Sequence, residues 1–350
     1  MSAENKKIHL RFILLFLGTL FLLLISIAGG IAFGSADLTI ATVFDVICAR
    51  LFGAPDAALS NAALSIVWEL RLPRALLAIA AGGGLAVAGT AMQSITQNAL
   101  ADPYILGVSG GASAAVALGF VLGGPLTVSS IGISTFAFLG ATLALLLVYS
   151  VGLIGSSGSN SRLVLAGMAV SVILTAATQF FISVAPDTYT VRNITSWTMG
   201  SLAGARWHNL PLPFFGSVLG SAFFIFTARN YNLLSQGDDT AISLGINVKS
   251  VKKYTLLAVS FITGVIVAAG GVIGFVGFII PHIVRSVVGA NHQKVFPLAF
   301  ITGSLFLVWM DVLSRVLFAP KELPVGIFTA FCGGPFFIWL LYKKNRAQRG

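Results

Sequence analysis

The sequence predicts an all-α polytopic membrane protein of about ten transmembrane helices, folded as one transmembrane domain over residues 1–350. Three observations predict it. Hydrophobic residues make up 57% of the chain and charged residues 9%, with a mean hydropathy of +0.94, whereas soluble domains carry about 25% charged residues. The polar residues gather into short intervals, leaving apolar stretches of roughly 20 residues, enough to cross a 30 Å hydrocarbon core as a helix. The basic residues sort by side once the stretches are threaded through a bilayer. No segment remains for a soluble catalytic domain.

The first stretch, Phe12 to Phe33, follows Lys6, Lys7 and Arg11. It is too long for a signal-peptide core and lacks a small-residue cleavage site, so it reads as a retained helix leaving the cytoplasm. Beyond it, Ile40, Val43, Phe44 and Ile47 recur at helical spacing beside Asp45 and Arg50, the pattern of a short amphipathic helix on the outer surface. Arg71 to about Ser94 returns inward, with Trp68 as an interfacial anchor. Asn98 to Asp102 forms the inner turn, Tyr104 to Leu122 goes out and Ile131 to Leu153 comes back to the inner loop GSSGSNSR, which ends at Arg162. Leu163 to Val184 goes out again. Pro186 to His208 is external, with a short helix expected around Ile194 to Leu202, and Leu210 to Ala228 returns.

The interval 229–253 is the longest polar one and carries Lys249, Lys252 and Lys253, which assign it to the cytoplasm. Four crossings remain: Tyr254 to Ala269, Val272 to Val288, Phe296 to Phe318 and Val325 to Tyr342, ending in the basic tail KKNRAQR. Threaded this way, 14 of the 21 basic residues lie inside and 7 outside, so both termini are expected in the cytoplasm. Helices two to five start outside and helices seven to ten start inside, the arrangement of an inverted repeat.

Within the spans, Gly82, Ala86 and Thr90, and again Gly107, Gly111 and Ala115, recur every four residues and make small faces for close helix packing. Ser171, Thr175 and Thr178 follow helical spacing beside Gln179. Polar groups in hydrocarbon face the protein interior or a water-filled path, and hydroxyls also satisfy themselves on their own backbone, so both readings stand. Gln93, at the inner end of the second span, joins the pathway-lining candidates. Asp311 is the one acid deep in an expected span. It stands four residues before Arg315, which fits a structural ion pair, with a proton relay as the sharper alternative. His9, His208, His282 and His292 are scattered, Cys48 and Cys332 are far apart, and no metal-ligand spacing, catalytic elbow or nucleotide-binding loop occurs. No catalytic or metal-binding residue is therefore assigned, and any ATP that energises this chain must be hydrolysed by another. In GDDTAISLGINVKSVKKY, Asp238 and Asp239 favour a helix start, Ala241, Ile242 and Leu244 give an apolar side, and Gly245 a stop. Such a helix is a docking knob or a solvated surface element.

Several ungapped motifs in order, RLPR before a glycine-rich helix, QNALADPYILGVSGGAS, GDDTAISLG, GFVGFIIPHIVR, and DVLSR followed by ELPVG, resemble the permease subunits of ABC importers for iron-siderophores, haem and cobalamin. The resemblance runs from about Arg71 to Trp339 and is nearest to siderophore permeases. It implies a bacterial inner-membrane protein, paired with an identical or similar permease subunit, with two cytoplasmic ATPase subunits and an extracytoplasmic substrate-binding protein. It implies no cofactor in this chain, ATP and Mg²⁺ belonging to the ATPases; the net charge of +10 is read as a record of membrane orientation and not as a sign of a nucleic-acid partner. By the same resemblance Arg71, Arg74 and Arg315 meet acidic residues of the binding protein. Gly237, Asp238, Asp239, Thr240, Ala241, Leu244 and Gly245 form the helix seated on the ATPase, making 229–253 the coupling loop. Asn98, Leu100, Asn160 and Ser161 fall at the cytoplasmic gate, with Ala99 where relatives often have proline. The function expected is import of a ferric siderophore by alternating access, with haem or cobalamin as other cargoes and a proton-coupled secondary transporter, dependent on Asp311, as the alternative of a different class.

Overall fold

The computed structural model describes residues 3–34, 38–53, 60–124, 127, 129–152 and 160–347, and among these the chain is helical throughout with no strand. In order the helices are α1 (Ala3–Ala32), α2 (Ile40–Phe52), α3 (Asn61–Leu64), α4 (Leu72–Thr96), α5 (Val108–Leu122), α6 (Ser130–Gly152), α7 (Asn160–Ser183), α8 (Thr188–Thr198), α9 (Pro211–Phe226), α10 (Ala228–Leu234), α11 (Asp238–Ser243), α12 (Val248–Gly270), α13 (Val276–Val288), α14 (His292–Val316) and α15 (Val325–Ala347). Seven helical spans are long and apolar enough to cross a bilayer, and α9 with α10, bent by 58°, makes an eighth if taken as one. Helices α5 and α13 are shorter apolar rods. Each of the ten stretches expected to cross falls on one of these elements.

Helix α4 is the axis of the bundle, and nearly every residue from Pro73 to Thr96 is buried. Its small face allows this. A Cβ on Gly82 would collide with the Gly303 carbonyl of α14, and one on Gly303 with the Gly82 carbonyl, so the two backbones touch. The expected small faces are thus packing faces: Gly82 and Ala86 seat α14, and Gly111 and Ala115 seat α6 at Gly140. Helices α1, α7 and α15 lie at the periphery with most of their apolar surface exposed, as a lipid-facing or partner-facing helix must be.

Several boundaries differ from expectation. The second span does not begin at Arg71 but at Asn61, because α3 runs into α4 through the wide turns of Ser65–Arg71. Pro73 explains the widening. It lacks an N–H and its ring crowds the carbonyl four residues back, and bonds reaching five residues relieve both. The external helix occupies Thr188–Thr198 instead of Ile194–Leu202, since Asp187 caps it by accepting the Thr190 N–H at 2.7 Å and Gly200, at φ +72, stops it. Asn160 and Ser161 open α7 instead of lying in a loop, while 153–159 of the preceding loop lie outside the described residues. Helix α12 starts at Val248, six residues early, behind the cap Asn247.

The inner turn is also longer than Asn98 to Asp102. Gln97, at φ 51, ends α4, and the chain then rises through a 3-10 turn at Pro103–Leu106 to Gly107, at φ +74, where α5 begins. The corresponding passage between α12 and α13 also holds a left-handed residue at each end, Gly271 at φ 66 and Phe275 at φ 68. The two linkers touch, the Ile273 N–H donating to the Tyr104 hydroxyl at 3.2 Å.

Candidate functional site

The chemistry-bearing residues collect at the two ends of α4. At its first end, Arg71 Nη1 donates to the carbonyls of Ile31 and Ala32 at 2.8 and 2.7 Å, and Arg315 donates to those of Phe33 and Gly30 at 2.8 and 2.7 Å. These are the last four carbonyls of the α1 end, which no intrahelical N–H can reach and which carry the negative end of the helix dipole. Arg71 crosses so close to Gly34 that a Cβ there would strike its guanidinium. Arg74 Nε meets Asp311 Oδ1 at 2.8 Å and its Nη1 meets Glu322 Oε2 at 2.6 Å, while Arg315 Nη2 lies 3.2 Å from Asp311 Oδ2. Both Asp311 oxygens are therefore ion-paired and the carboxylate is 2% exposed, which favours the structural pair over the proton relay.

The three arginines expected to bind a partner are thus together, buried, and engaged with the chain's own groups. They floor a cleft of about 210 Å³ whose rim adds Ile66, Leu70, Ala203, Arg206 and Glu322. Arg206 and Glu322 were missed by sequence reasoning, because the loops that bring them there lie more than 130 and 240 residues along the chain from Arg74. Trp207 beside Arg206 donates to the Trp68 carbonyl at 2.9 Å and packs its ring against that of Trp68 at 5.1 Å with the planes tilted by 39°, clamping the 201–209 loop to the start of the α3–α4 span.

At the far end, Gly237 to Gly245 folds as expected. Gly237 at φ 109 opens α11, Asp238 and Asp239 occupy its first turn, and Lys252 pairs with Asp238. Gly245 at φ 84 closes it, with the Ile246 N–H returning to the Ala241 carbonyl at 3.0 Å. Ala241 is fully buried and roots the helix, whereas Ile242 and Leu244 are 59% and 56% exposed. The six-residue helix and its C-cap thus present two bare branched side chains, an exposed apolar patch.

That helix is tied to the turn after α4. Gln97 Nε2 donates to the Leu234 carbonyl at the end of α10 at 3.2 Å. Asn232 of α10 accepts both the backbone N–H and, through Nδ1, the ring of His292, whose Nε2 lies 2.6 Å from the Ser94 hydroxyl. Within the turn, Asn98 Oδ1 accepts the Leu100 N–H at 2.9 Å, and Leu100 packs against the cluster of Phe278, Ile279 and Leu340, which joins α13 and α15. Asn98 is exposed and Leu100 half-buried; the side chains of Asn160 and Ser161 lie outside the described residues.

The polar residues expected along a path divide. Gln93 is buried and bridges α4 to α13, accepting from Arg285 Nη1 and donating to the Gly277 carbonyl at 3.3 Å. Thr178 donates to its own Leu174 carbonyl, Ser171 is half-buried, and Thr175 and Gln179 stand on the open face of α7. One residue was misplaced by sequence reasoning. Asp102, read as part of the inner turn, has its Oδ2 beside Gly277, which abuts Leu85 and Gly89, roughly 10–16 Å above the end of α4 at 1.5 Å per residue. Its Oδ1 caps Tyr104 at 2.9 Å, and its Oδ2 is buried without a partner among the described residues.

Comparison with known proteins adds to this geometry. A model described as the FecCD transport family matches residues 19–343. The hemin transport system permease protein of Yersinia pestis is 36% identical over 96% of this chain and 98% of its own length. The iron(3+)-hydroxamate import system permease protein of Bacillus subtilis is 35% identical over 90% of this chain and 79% of its own. Among solved structures, an inward-facing conformation of a metal-chelate type ABC transporter superposes with a TM-score of 0.80 at 29% identity, covering 94% of this chain and 98% of that one.

Proposed function

The chain belongs to the FecCD transport family, and from that premise we propose that it carries a ferric siderophore inward as the permease of an ABC importer. It is a multi-pass membrane transport subunit and not an enzyme, ATP hydrolysis residing in separate ATPase subunits. The observation that carries the reading is the pairing of the exposed Ile242–Leu244 knob at one end of α4 with the arginine cleft at the other. The knob end faces the bacterial cytoplasm, where it seats in an ATPase subunit. The cleft faces out of the inner membrane and receives an acidic surface of the binding protein, with Arg74 and Arg206 steering the encounter and setting its register.

A second permease subunit packs against the exposed faces of α7 and α15, and the path runs between the copies past Thr175 and Gln179. Asn98 and Leu100, with Asn160 and Ser161 across the path, form the inner gate. The two halves, with their matching pairs of left-handed residues in the linkers that lead into α5 and α13, support an inverted repeat. When the ATPases close on ATP, α11 moves with them and draws α10 and the turn after α4, changing the side to which the path opens.

The test is uptake of a labelled ferric hydroxamate into proteoliposomes holding the permease, its ATPase and its binding protein, with and without internal ATP. Uptake should require both ATP and binding protein. Hemin is the second reading, favoured by the Yersinia pestis relative, and hemin or cobalamin taken up in place of the hydroxamate would reassign the cargo. Uptake driven by a proton gradient without ATP would overturn the importer.

A further inference from the structure

We propose that Glu322 is a built-in stand-in for the carboxylate of a docking protein, covering Arg74 until that protein displaces it. The inference rests on the docking role assigned to the cleft and adds how the cleft is kept closed.

The two acids of the cluster are held differently. Asp311 is 2% exposed, both its oxygens are ion-paired, and it sits within α14, so it is a fixed counter-charge. Glu322 is 38% exposed, stands in the loop between α14 and α15, and among the described residues has one ion-pair partner, Arg74 Nη1 at 2.6 Å. Arg74 itself is 8% exposed and lines the cleft beside Glu322, which holds its Nη1. Among the described residues the cleft lining holds four arginines, Arg71, Arg74, Arg206 and Arg315, against one carboxylate. Adding Asp311 beneath leaves two positive charges in excess, and removing Glu322 leaves three.

Water reaches the Glu322 carboxylate and competes for it, and Glu322 gives up side-chain freedom to hold the bond, so this pair is worth less than the buried one between Arg74 and Asp311. An incoming carboxylate from a protein surface forms the same bond to Arg74 in a setting that its own docking dries, where the bond strengthens. Exchange of one carboxylate for the other therefore lies near balance, and contacts elsewhere on the docking surface decide it. The exchange also has a mechanical end, since Glu322 stands three residues before Val325, the first residue of α15, and Leu323 N–H is bonded to the Ser314 carbonyl at 3.0 Å. Release of Glu322 frees the loop that leads into α15. The occupant is an aspartate or glutamate side chain of the binding protein.

The test uses the permease–ATPase complex in nanodiscs with the binding protein that supports hydroxamate uptake. Glu322→Gln removes the competing charge and keeps the shape, and is expected to tighten binding about fivefold, whereas a residue that merely braces the fold would weaken it or leave it unchanged. Hydrogen exchange of 317–324 is expected to rise when binding protein is added to the native complex and to be high already in Glu322→Gln. Unchanged or weaker binding by Glu322→Gln, while Arg206→Glu weakens it, overturns the stand-in and keeps the docking surface. Binding indifferent to both Arg206→Glu and Arg74→Glu overturns the docking reading itself. A rise in exchange produced by millimolar citrate alone assigns the cleft to small anions and also overturns the proposal.

Discussion

Asp311 neutralises two arginines that face it from different elements, one from the start of α4 and one from its own helix, one turn on. Asp311→Asn leaves both guanidinium groups desolvated without a full counter-charge, and breaking a buried pair this way costs about 3–5 kcal/mol. The expected outcome is a large fall in the thermal unfolding temperature of the purified permease. Because Arg315 also caps α1, Arg315→Met should loosen α1 from the bundle. The double variant should lose less than the sum of the two, since the residues share one network. The ion pair four residues apart was legible from spacing alone. That Arg74 completes it was not, for 237 residues separate Arg74 from Asp311 and only the packing of α4 on α14 joins them.

Helices α10 and α11 show what a short element does that its own propensity does not explain. Six residues do not hold a helix in water, and α11 persists because Gly237 and Gly245 fit its two ends, Lys252 pairs with Asp238, and buried Ala241 anchors it. Replacing Ile242 and Leu244 with Asp touches no buried contact. The permease should therefore fold and lose its ATPase partner, as checked by co-purification. Asn232→Ala and Gln97→Ala cut the bonds from α10 to His292 and to the turn after α4. These variants should keep ATP hydrolysis and lose several-fold in uptake per ATP, whereas simple destabilisation would lower both together. The start of α11 was readable from its acids and its stop from Gly245. Its attachment to α4 was not, because a backbone carbonyl such as that of Leu234 leaves no trace in composition.

Over the whole molecule, burial grades from α4 outward, and the open faces of α7 and α15 are broad and apolar with a few polar groups set in them. If these faces enclose a path between two copies, single cysteines at Thr175 and Gln179, in a background lacking Cys48 and Cys332, should react with a water-soluble maleimide in the assembled importer. A cysteine at Thr178 should not, being buried against its own bundle. Equal protection of all three would place α7 against lipid.

The amino-acid sequence alone determined the all-helical class, the ten apolar stretches, the amphipathic helix at Ile40 and the short helix at Asp238. Each of these is written in local composition, periodicity or a cap, whereas Arg71, Arg74 and Arg315, three of the cleft's four arginines, were singled out by the permease resemblance, which rests on ungapped local motifs. Tertiary structure decided what these pieces face. It folded the Asn98–Gly107 linker back along α4 so that Asp102 lies deep, set Gln93 between α4 and α13, and turned Arg71 and Arg315 onto the carbonyls of α1. It also brought Glu322 over Arg74. For Gln93, Arg71 and Arg315 the physical reason is the same: a buried polar group must find a partner wherever the packed helices present one, and in a bundle whose backbones touch through glycine that partner is chosen by the crossing of helices and not by distance along the chain.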